Sequence, residues 1–522
     1  MSSTALIPSA APSAAPPGAD KPLAGGQLVL AALLLAAANF LVVLDTTIAN
    51  VSVPNIAGGL GASAGQGTLV ITSYAVAEAI TVPLTGWLAG RFGAVRVFIA
   101  AMVLFGVFSV LCGLAPSLSL LVACRVFQGL AGGPLMPLSQ TLLLKIFPKE
   151  KAPAAIGLWS MTTLVAPILG PILGGKLCDE LSWPYIFFIN VPIALVCAWF
   201  GWKMLKRYET PTVRARIDLV GLGLLVVWVA ALQIMLDEGK DLDWFASPEI
   251  VALAVVAVIG FLAFLIWELT ERDAVVDLRV FRHRGFAMSV LTISLAFGAF
   301  FGATVLTPLW LQNYMGYTAT QAGYATAASG ILAVLVAPLA ANLSAKVDPR
   351  LLVFCGVMWL GAITLLRTDA TSDMTMWQIS VLLLLQGLGM PFFFVPLTGL
   401  ALASVDEPET ASAAGLMNFC RTVSGAFATS LVQTAWENRT AHNHAELAGL
   451  VDRGGDTLRT LTDGGVPLEQ ARGMIEQLVQ GQSVMLATNQ VFLWAGLAFV
   501  LAATAIWFAP RPTRVADTSA AH

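Results

Sequence analysis

The sequence predicts an all-α integral membrane protein with fourteen transmembrane helices, arranged as two six-helix halves with two further helices inserted between them. Apolar residues make up 57% of the chain and charged residues only 11%, whereas charged residues form about a quarter of an ordinary soluble domain. A spanning helix needs about 20 mostly apolar residues. Fourteen segments meet this criterion and are numbered in chain order: 28–50, 68–89, 97–115, 118–143, 153–177, 184–204, 217–237, 249–269, 286–311, 320–343, 350–367, 376–402, 411–436 and 486–508. The third observation is an internal repeat that relates the two halves.

The repeat has an offset of about 255 to 258 residues. Three pairs of segments match in the same order: PLTGWLAGRFGAVR from Pro83 with PLAANLSAKVDPRL from Pro338, QGLAGGPLMPL from Gln128 with QGLGMPFFFVPL from Gln386, and AAIGLW from Ala154 with SAAGLM from Ser412. Duplicated halves of a membrane protein usually enclose a binding site at their interface near the membrane midplane.

The segments divide the chain into five regions. The first 26 residues are rich in Pro, Ala and Ser, have no apolar run of membrane length and lack the basic start of a secretory signal, so we predict a disordered tail. The regions are this cytoplasmic tail at 1–26, an N-terminal half at 27–208, two inserted transmembrane helices at 209–272, a C-terminal half at 273–510 with a polar periplasmic loop at 437–485, and a second cytoplasmic tail at 511–522.

The basic residues set the predicted orientation. Of the 28 Lys and Arg residues, 19 fall in tails and loops on the side of the N-terminus, and seven fall in loops on the other side, Arg367 among them. Because short loops rich in Lys and Arg stay in the cytoplasm, both termini are expected there.

Segment 1 carries a carboxylate in its apolar run. In LVVLDTTIANVSVP, Leu41 to Pro54, Asp45 is followed by small polar residues that include Thr46 and Asn50, as in a helix that lines a water-filled interior. An Asp at the centre of a spanning helix costs about 2.5–3.5 kcal/mol on insertion scales. Either Asp45 lies near the helix end and is solvated there, or it is the proton-titrating or cation-sensing group of a pathway across the membrane.

Three further charged side chains lie within spanning segments. Arg125 in segment 4 precedes Gln128, and its guanidinium either finds a carboxylate, a carbonyl or water inside the bundle or snorkels to the outer interface. Glu78 in segment 2 either shares a cavity with Asp45, where two carboxylates favour cations and raise each other's proton affinity, or is protonated, shielded from lipid and held by one hydrogen bond. Arg421 in segment 13 would offset one of these negative charges.

Segment 5 and the turn after segment 2 have distinctive small residues. Thr162, Ala166, Gly170 and Gly174 recur every four residues and let a neighbouring backbone approach closely. Two prolines on an adjacent line of segment 5 are expected to bend it. In the turn, the glycines let the chain reverse direction and the arginines suit anchoring at the inner membrane surface.

These motifs resemble the fourteen-helix drug:proton antiporters of the major facilitator superfamily, and among them the EmrB type. The likeness covers roughly 28 to 508 and rests on LDTTIANVSVP, GWLAGRFGAVRVF, RVFQGLAGGPLMP, LWSMTTLVAPILGPILGG, WPYIFFINVPIAL and DLRVFRHRGF. It implies the major facilitator fold and proton coupling through Asp45 and Arg125. It also implies an inner-membrane pump that works with a periplasmic adaptor protein and an outer-membrane channel, for which the loop at 437–485 is a candidate contact.

The resemblance assigns two further motifs. The residues of segment 5 that match the antiporter signature, which limits leak and controls the direction of opening, are Ala166, Pro167, Gly170, Pro171, Gly174 and Gly175. The turn after segment 2 resembles a cytoplasmic gate, and its matching residues are Gly86, Arg91, Gly93 and Arg96. This gate locks the outward-facing state through an acidic residue, but that position is Gly90 here, so its charge interaction is expected to be absent.

These observations predict a proton-driven exporter of hydrophobic, cationic compounds that works by alternating access in a bacterial inner membrane. The residues expected in its substrate cavity are Asp45, Thr46, Asn50, Glu78, Gln128 and Arg421. The expected partners are small hydrophobic substrates, protons and membrane lipid, with neither nucleic acid nor a cofactor. One alternative is export of fatty acids or other amphipathic anions, in which Arg125 and Arg421 dominate the cavity, and another is a non-transporting membrane sensor or scaffold.

Other functional classes are disfavoured by what the sequence lacks. It has no GxxxxGK[ST] phosphate loop, which argues against direct ATP hydrolysis. Its spanning segments hold neither a Ser/His/Asp set nor a metal-ligand cluster, so neither an enzyme nor a metal site is expected. The six cysteines have no CxxC spacing and are expected to be packing residues.

Overall fold

The computed structural model describes residues 23, 25–148, 151–212, 218–240, 242–271, 274–371, 373–454 and 456–511, and these form α-helices joined by short turns, without a β-strand. The predicted tails at 1–26 and 511–522 lie almost wholly outside this part of the chain. The helices are α1 (Gly25–Gly59), α2 (Ala64–Thr81), α3 (Thr85–Phe92), α4 (Ala94–Gly113), α5 (Leu118–Gly132), α6 (Leu135–Ile146), α7 (Ala152–Glu180), α8 (Tyr185–Phe188), α9 (Asn190–Leu205), α10 (Leu219–Glu238), α11 (Pro248–Thr270), α12 (Arg284–Asn313), α13 (Ala319–Ser344), α14 (Pro349–Leu366), α15 (Met376–Ala403), α16 (Thr410–Gly454), α17 (Asp456–Asp463) and α18 (Leu468–Ala505).

Eleven helices of the described chain are long and apolar enough to cross a membrane, and the number rises to 13 if each of two bent pairs is one span. The first bent pair is α2 and α3, which meet at 58° on either side of Pro83. The second lies within α7, which bends by 41° between Pro167 and Leu169, because proline removes a backbone hydrogen bond and crowds the preceding turn. The all-α membrane fold is confirmed, whereas the total of fourteen spans stays a prediction.

Helix α1 packs along α7 through small and amide side chains. The amide nitrogen of Asn39 donates to Thr162 Oγ1 at 2.8 Å and to Thr163 Oγ1 at 2.7 Å. Further along, Gly170 leaves room for Thr47, because a Cβ at the glycine would collide with the threonine side chain. The face of small residues on segment 5 is therefore the face that packs against α1.

The two halves that are related by the sequence repeat also share a close contact between helices. A Cβ on Gly129 in α5 would lie 2.5 Å from the carbonyl oxygen of Tyr74 in α2. In the second half, a Cβ on Gly387 in α15 would collide with the carbonyl oxygen of Ser329 in α13. Each glycine directly follows one of the two matched glutamines, so the same close helix contact occurs once in each half. The residue limits of the halves stay predictions.

The inserted helices lie against both halves. Helix α10 packs on α2 of the first half and on α16 of the second. Trp228 of α10 meets Phe419 of α16 edge to face, with ring centroids 5.8 Å apart, and Ser430 Oγ donates to the carbonyl oxygen of Leu236 at 2.8 Å. Helix α11 packs on α10 and exposes an apolar surface, as expected beside lipid, formed by Val251, Val255, Val258, Ile259, Leu262 and Ile266.

The helix ends that carry most of the basic residues meet at one end of the bundle, which we call the basic end. Here Lys145 Nζ donates to the carbonyl oxygen of Tyr208 at 2.9 Å, and Arg350 Nη1 donates to that of Ala509 at 3.1 Å. Arg350 Nη2 also donates to Asp348 at 2.9 Å. Hydrogen bonding to Arg350 lowers the pKa of Asp348 below its ordinary value.

The two halves touch at the basic end. A Cβ on Gly86 of α3 would lie 2.8 Å from the Cα atom of Ser412 in α16. Asn418 Nδ2 of α16 donates to Gln140 Oε1 of α6 at 3.3 Å. On the far side of the interface, a Cβ on Gly157 of α7 would lie 3.0 Å from an alanine side chain of α13. These contacts close the bundle at its basic end.

Residues 437–485, predicted as a polar periplasmic loop, extend two of the long helices, and their position outside the membrane stays a prediction. Helix α16 runs to Gly454 and α18 begins at Leu468, so this stretch is mostly helical. At about 1.5 Å per residue, the 45 residues of α16 exceed the roughly 30 Å core of a bilayer. Neither Pro nor Gly occurs between Gly425 and Gly449, which explains the continuous helix. We call residues 437–485 the outer hairpin.

Arg367, counted among the residues of the outer loops, does lie in the connection between α14 and α15, but its side chain is buried. Arg367 is 4% exposed and lies between helices of the second half. It donates to Thr307 Oγ1 at 2.5 Å and to Gln386 Oε1 at 3.4 Å, and its guanidinium carbon lies 4.0 Å from the ring centroid of Phe492. Its charge belongs to the interior and does not bear on the orientation.

Candidate functional site

A buried ion pair lies in the first half of the bundle. Nη1 of Arg125 in α5 is 2.5 Å from Oδ2 of Asp45 in α1, and both side chains are 0% exposed. Asp45 lies well inside α1, so it is not solvated at a helix end, and Arg125 does not snorkel to the surface. Each of these residues needs a partner in an apolar interior, and the structure makes them partners of each other.

Neutral side chains complete the surroundings of Asp45. Gln128 Nε2 and Asn190 Nδ2 donate to Oδ1 of Asp45 at 3.0 and 2.6 Å. Gln128 Oε1 also accepts from Nη1 of Arg125 at 3.0 Å. Ser109 Oγ accepts from Gln128 Nε2 at 3.3 Å and from Asn190 Nδ2 at 3.0 Å. We call these five residues the polar cluster.

The sequence analysis missed two members of the polar cluster, Ser109 and Asn190. Asn190 opens α9 and belongs to the motif WPYIFFINVPIAL. A primary amide within an apolar run is a signal of the same kind as a carboxylate there, because its donors and acceptor must be satisfied inside the bundle. Applying that criterion to every polar residue of the spanning segments would have identified Asn190.

Arg125 has contacts that do not depend on Asp45. Its Nε donates to the carbonyl oxygen of Val70 at 3.1 Å, and its guanidinium carbon is 4.1 Å from the ring centroid of Tyr74. Both partners lie on α2. The arginine charge therefore keeps a hydrogen bond and a cation–π contact when Asp45 is neutral.

Glu78 and Arg421 lie in opposite halves of the bundle. Glu78 of α2 is partly exposed, and the charged groups whose electrostatic field acts on it are Asp45, Arg125 and Arg421. Arg421 of α16 is 4% exposed, and its Nη2 lies 2.6 Å from the sulfur of Met136. Within the described chain, neither charge forms an ion pair.

Two other residues expected in the cavity, Thr46 and Asn50, lie further along α1 from the basic end. Thr46 is partly exposed and Asn50 is exposed, whereas Asp45 is buried. Thr46 Oγ1 donates to the carbonyl oxygen of Val42 at 3.2 Å within the same helix. Of the three residues, Asn50, which lies furthest along α1, is therefore the most exposed.

The antiporter signature lies on α7 beside α1. Thr47 Oγ1 donates to the carbonyl oxygen of Ala166 at 3.4 Å, and Gly170 faces the same threonine. A Cβ on Gly174 would lie 3.1 Å from the carbonyl oxygen of Ile48. Helix α1 thus touches α7 directly after Asp45.

The other three residues of the signature have looser surroundings. Pro167 and Pro171 are partly exposed, and a Cβ on Gly175 would have open space around it. The close contact with α1 is therefore made along one side of α7, by Ala166, Gly170 and Gly174. The prolines bend α7 beside this contact.

A carboxylate from a distant segment acts on the turn between α3 and α4. Gly93 has a φ of +95°, and a Cβ there would lie 2.5 Å from the carboxylate of Glu209. Glu209 accepts from the backbone nitrogens of Val95 at 2.9 Å and Arg96 at 3.1 Å, and lies 3.7 Å from the Arg96 side chain. The sequence analysis looked for an acid at position 90 and missed Glu209.

The other residues of the turn contact different partners. Gly86 lies against Ser412 of the second half. The guanidinium carbon of Arg91 is 5.6 Å from the ring centroids of both Trp87 and Phe92. Among the four predicted gate residues, Gly86 therefore makes the contact between the halves, and Gly93 and Arg96 hold Glu209.

A group of possible metal ligands at the basic end is bridged by an arginine. Ligand atoms of His283, Asp406 and Glu409 lie within 4.8 Å of one another. Nη2 of Arg282 is 2.6 Å from Glu409 and 3.7 Å from Asp406, and His283 is 2.9 Å from Glu409. These residues form a salt-bridge network that joins the start of α12 to the start of α16.

The sequence is similar to those of known proteins over most of its length. The family model described as Major Facilitator Superfamily matches residues 35–429. The chain is 43% identical over 498 residues to the multidrug export protein EmrB of Escherichia coli K12, covering 94% of this chain and 97% of that protein. It is also 43% identical over 495 residues to the fatty acid resistance protein FarB of Neisseria gonorrhoeae, covering 94% of this chain and 98% of that one.

Two solved structures share the fold at low sequence identity. The proton:xylose symporter XylE superposes with a TM-score of 0.57 at 14% identity, covering 93% of this chain and 96% of that one. The human organic anion transporter MFSD10 superposes with a TM-score of 0.56 at 13% identity, covering 91% and 100%. At these identities the two structures establish only that the fold is shared, whereas the bacterial relatives, at 43% identity, establish the family. The chain belongs to the major facilitator superfamily, as a multi-pass membrane transporter of the EmrB multidrug export type.

Proposed function

We propose that this multidrug efflux transporter is driven by protons and that the Asp45–Arg125 pair couples proton movement to export. The observation that carries the proposal is the complete burial of the pair in an apolar bundle. Such a pair adds little net stability, because desolvation offsets the attraction between the charges, and ionisable residues inside membranes mark proton and substrate pathways. Since the guanidinium does not titrate, Asp45 is the member that binds the proton.

Protonation of Asp45 has a defined structural consequence. The neutral carboxyl loses its charge attraction to Arg125, while Arg125 keeps its hydrogen bond to the Val70 carbonyl and its contact with the Tyr74 ring. Thr47, which follows closely on α1, is bonded to α7. A change at Asp45 therefore acts directly on the crossing of α1 and α7 and biases the exchange between the two facing states.

The proposed substrates are hydrophobic compounds, lipophilic cations among them. Two carboxylates in the cavity were expected to attract a cation, but Arg125 already neutralises Asp45. Attraction of a cation therefore falls to Glu78, which is partly exposed and unpaired within the described chain.

A second candidate is the export of amphipathic anions such as fatty acids. Arg421 favours it, because its buried Nη1 has no hydrogen-bond partner among the described residues and can bind a carboxylate. One of the similar proteins is a fatty acid resistance protein. Arg125, the other arginine expected to bind anions, is held by Asp45 and contributes no free charge.

Proton release from proteoliposomes with an imposed pH gradient tests the coupling. Tetraphenylphosphonium is added as the cation and laurate as the anion, and protons are followed with a pH-sensitive dye. Wild type and Glu469→Gln, whose side chain is 85% exposed, are expected to release protons with at least one substrate, whereas Asp45→Asn is expected to release none. If neither substrate moves protons through wild type, or if Asp45→Asn behaves as wild type, the proposal fails.

We propose further that the protein is the inner-membrane part of a tripartite pump, with both termini in the cytoplasm and the outer hairpin in contact with a periplasmic adaptor protein. The outer hairpin supports this, because it exposes Leu450, Leu468, Met474 and Leu478. Serine at the three leucines is expected to abolish drug resistance of cells while leaving export in proteoliposomes unchanged. Equal losses in both assays would show that the leucines serve folding and not docking.

A further inference from the structure

We infer that Arg421 is a positioning residue that works against closure of the two halves at the basic end, and so helps the transporter to open there. The inference rests on the proposed function, since it concerns the exchange between the two facing states of the same transporter. It requires no contact between Arg421 and a substrate.

Arg421 lies where the two halves meet. It belongs to α16 of the second half and is 4% exposed. Its Nη2 lies 2.6 Å from the sulfur of Met136 on α6 of the first half, and its guanidinium carbon lies 5.9 Å from the ring centroid of Trp159 on α7. Three residues before it, Asn418 donates to Gln140 of α6 at 3.3 Å. Closure of the basic end therefore buries this charge between the halves.

The hydrogen bonds of Arg421 are poorer than those of two other buried arginines. Arg125 donates to a carboxylate, an amide oxygen and a backbone carbonyl, and Arg367 donates to a hydroxyl and an amide oxygen. Among the described residues, Arg421 has the thioether of Met136 and no oxygen acceptor, and a thioether is a weak acceptor. Its buried Nη1 has no partner among these residues, which is costly for a charged group.

The aromatic rings around Arg421 are a weak substitute for a counter-charge. Three ring centroids lie 5.0, 5.6 and 5.9 Å from its guanidinium carbon, near the limit of about 6 Å for a cation–π contact. The corresponding distance is 4.1 Å for Arg125 and Tyr74, and 4.0 Å for Arg367 and Phe492. The rings at Arg421 therefore offset less of the desolvation cost than a close ring does.

No carboxylate pairs with Arg421 within the described chain. Glu78 acts on it through its electrostatic field, but no ion pair joins them. A buried charge without a partner is strongly unfavourable. Of the three arginines compared, Arg421 thus has the least compensation for its burial.

This cost depends on the facing state of the transporter. When the halves separate at the basic end, Met136 and Trp159 leave with the first half, and water reaches the guanidinium of Arg421. Arg421 therefore raises the free energy of the closed basic end relative to the open one, which shifts the population toward opening. Arg367 differs, because its described partners on α12, α15 and α18 all belong to the second half.

The labelling rate of a cysteine at the interface tests the inference. Gln140 is 1% exposed, so a cysteine there reacts with a bulky maleimide when the halves separate, at a rate proportional to the open fraction. Gln140→Cys is introduced into the full-length protein with the six native cysteines replaced by serine. The reaction is followed in lipid nanodiscs without substrate or pH gradient. Arg421→Met is expected to slow it about tenfold, because one unsatisfied charged donor has about this effect.

Matched variants separate the interface charge from a general effect of removing a buried arginine. Arg367→Met removes a guanidinium that lies within one half and is expected to leave the labelling rate unchanged. Arg421→Lys keeps the charge and is expected to keep the fast reaction. Met136→Glu keeps Arg421 but supplies a carboxylate beside it, so it is expected to slow labelling as Arg421→Met does.

The direction of the change decides the outcome. Damage to folding or packing exposes the cysteine and speeds its reaction, so slower labelling cannot arise from damage. The inference is overturned if Arg421→Met labels as fast as the parent protein or faster, or if Arg367→Met slows labelling to the same extent. If Arg421→Met does not fold, Met136→Glu decides, and an unchanged or faster rate in that variant overturns the inference.

Failure of the inference and failure of the proposed function are distinguishable. The labelling measurements need neither a proton gradient nor a substrate, so the expected pattern can hold while proton release through Asp45 is absent, in which case only the coupling proposal fails. Proton release that depends on Asp45, together with an unchanged labelling rate in Arg421→Met, leaves the coupling intact and removes the role of Arg421.

Discussion

Removal of the Asp45 charge is expected to destabilise the protein, because it leaves Arg125 charged and without its partner. Asp45 accepts hydrogen bonds from Arg125 at 2.5 Å, from Gln128 at 3.0 Å and from Asn190 at 2.6 Å. An asparagine offers one oxygen where the carboxylate offers two, and its amide nitrogen would face a donor. A buried charge without its partner costs about 3–5 kcal/mol, so Asp45→Asn is expected to lower the free energy of unfolding by about that amount.

A second substitution separates stability from transport. Arg125→Met in the Asp45→Asn background removes the unpaired charge, and the hydrogen bonds that are then lost cost about 1 kcal/mol each. The double variant is therefore expected to be more stable than Asp45→Asn by about 2 kcal/mol. It is nevertheless expected to release no protons, because no titratable group remains at the site.

Unfolding free energies in mixed micelles, obtained by titration with SDS, measure these differences. In a background in which the other five cysteines are replaced by serine, the reaction of the buried thiol of Cys197 with a fluorescent maleimide reports unfolding. The pair of Asp348 and Arg350 serves as a control cycle, because Asp348 is 37% exposed and such pairs couple by less than about 1 kcal/mol. If the losses at Asp45 and Arg125 simply add, the two charges do not depend on each other and the reasoning is refuted.

Three further predictions concern helix packing and pH. Gly170→Leu is expected to abolish export because α1 occupies the space of the new side chain, whereas Gly175→Leu, which has open space, retains it. Gly86→Leu is expected to hold the halves apart at the basic end and to stop export, whereas Gly90→Leu, also in open space, does not. Since the pKa of Asp348 is lowered in the folded protein, Asp348→Asn is expected to reduce stability at about pH 6 and by less at about pH 3.

Each of these predictions has its own measurement. Dye efflux from cells at matched protein levels tests the leucine variants, and equal export by Gly170→Leu and Gly175→Leu would contradict the close crossing of α1 and α7. Accessibility of a cysteine placed at position 140 to a maleimide from the basic end reports opening in Gly86→Leu. Thermal unfolding at the two pH values tests Asp348. Its stabilisation is present above the pKa of the unfolded state and disappears as pH falls through the lower pKa of the folded state. A stability difference between wild type and variant that grows toward acid pH would contradict this prediction.

The architecture was predictable because it rests on local signals. Apolar runs of membrane length and a repeat with a constant offset need no knowledge of packing, and both lead to the fold that the structure has. The charged residues in spanning segments were equally easy to recognise from the sequence, because each one interrupts an apolar run. Asp45 and Arg125 were each expected to need a partner, but the sequence left the partner of Arg125 open among a carboxylate, a carbonyl and water, and only the structure shows that it is Asp45.

The rest depended on contacts between distant residues. Glu209 acts on the backbone of Val95 from 114 positions away, and no local pattern connects them. Asn190 reaches Asp45 from 145 positions away, and only its amide in an apolar run marks it. The continuation of α16 to Gly454 was not predicted, because the polar composition after residue 436 was taken as the end of the spanning helix, although a helix that has left the membrane is expected to become polar.

The repeat also explains why proton coupling is assigned to the first half only. With the offset of the matched segments, Gln386 takes the place of Gln128, and in both halves this glutamine accepts a hydrogen bond from a buried arginine. In the first half that arginine pairs with a carboxylate. In the second half, Arg367 has neutral described partners, Thr307 Oγ1 and the Phe492 ring beside the glutamine. An arginine among neutral partners cannot exchange a proton, so the first half has a carboxylate paired with its arginine and the second half has a fixed positive charge. In the proposed mechanism, proton binding therefore acts on the first half alone.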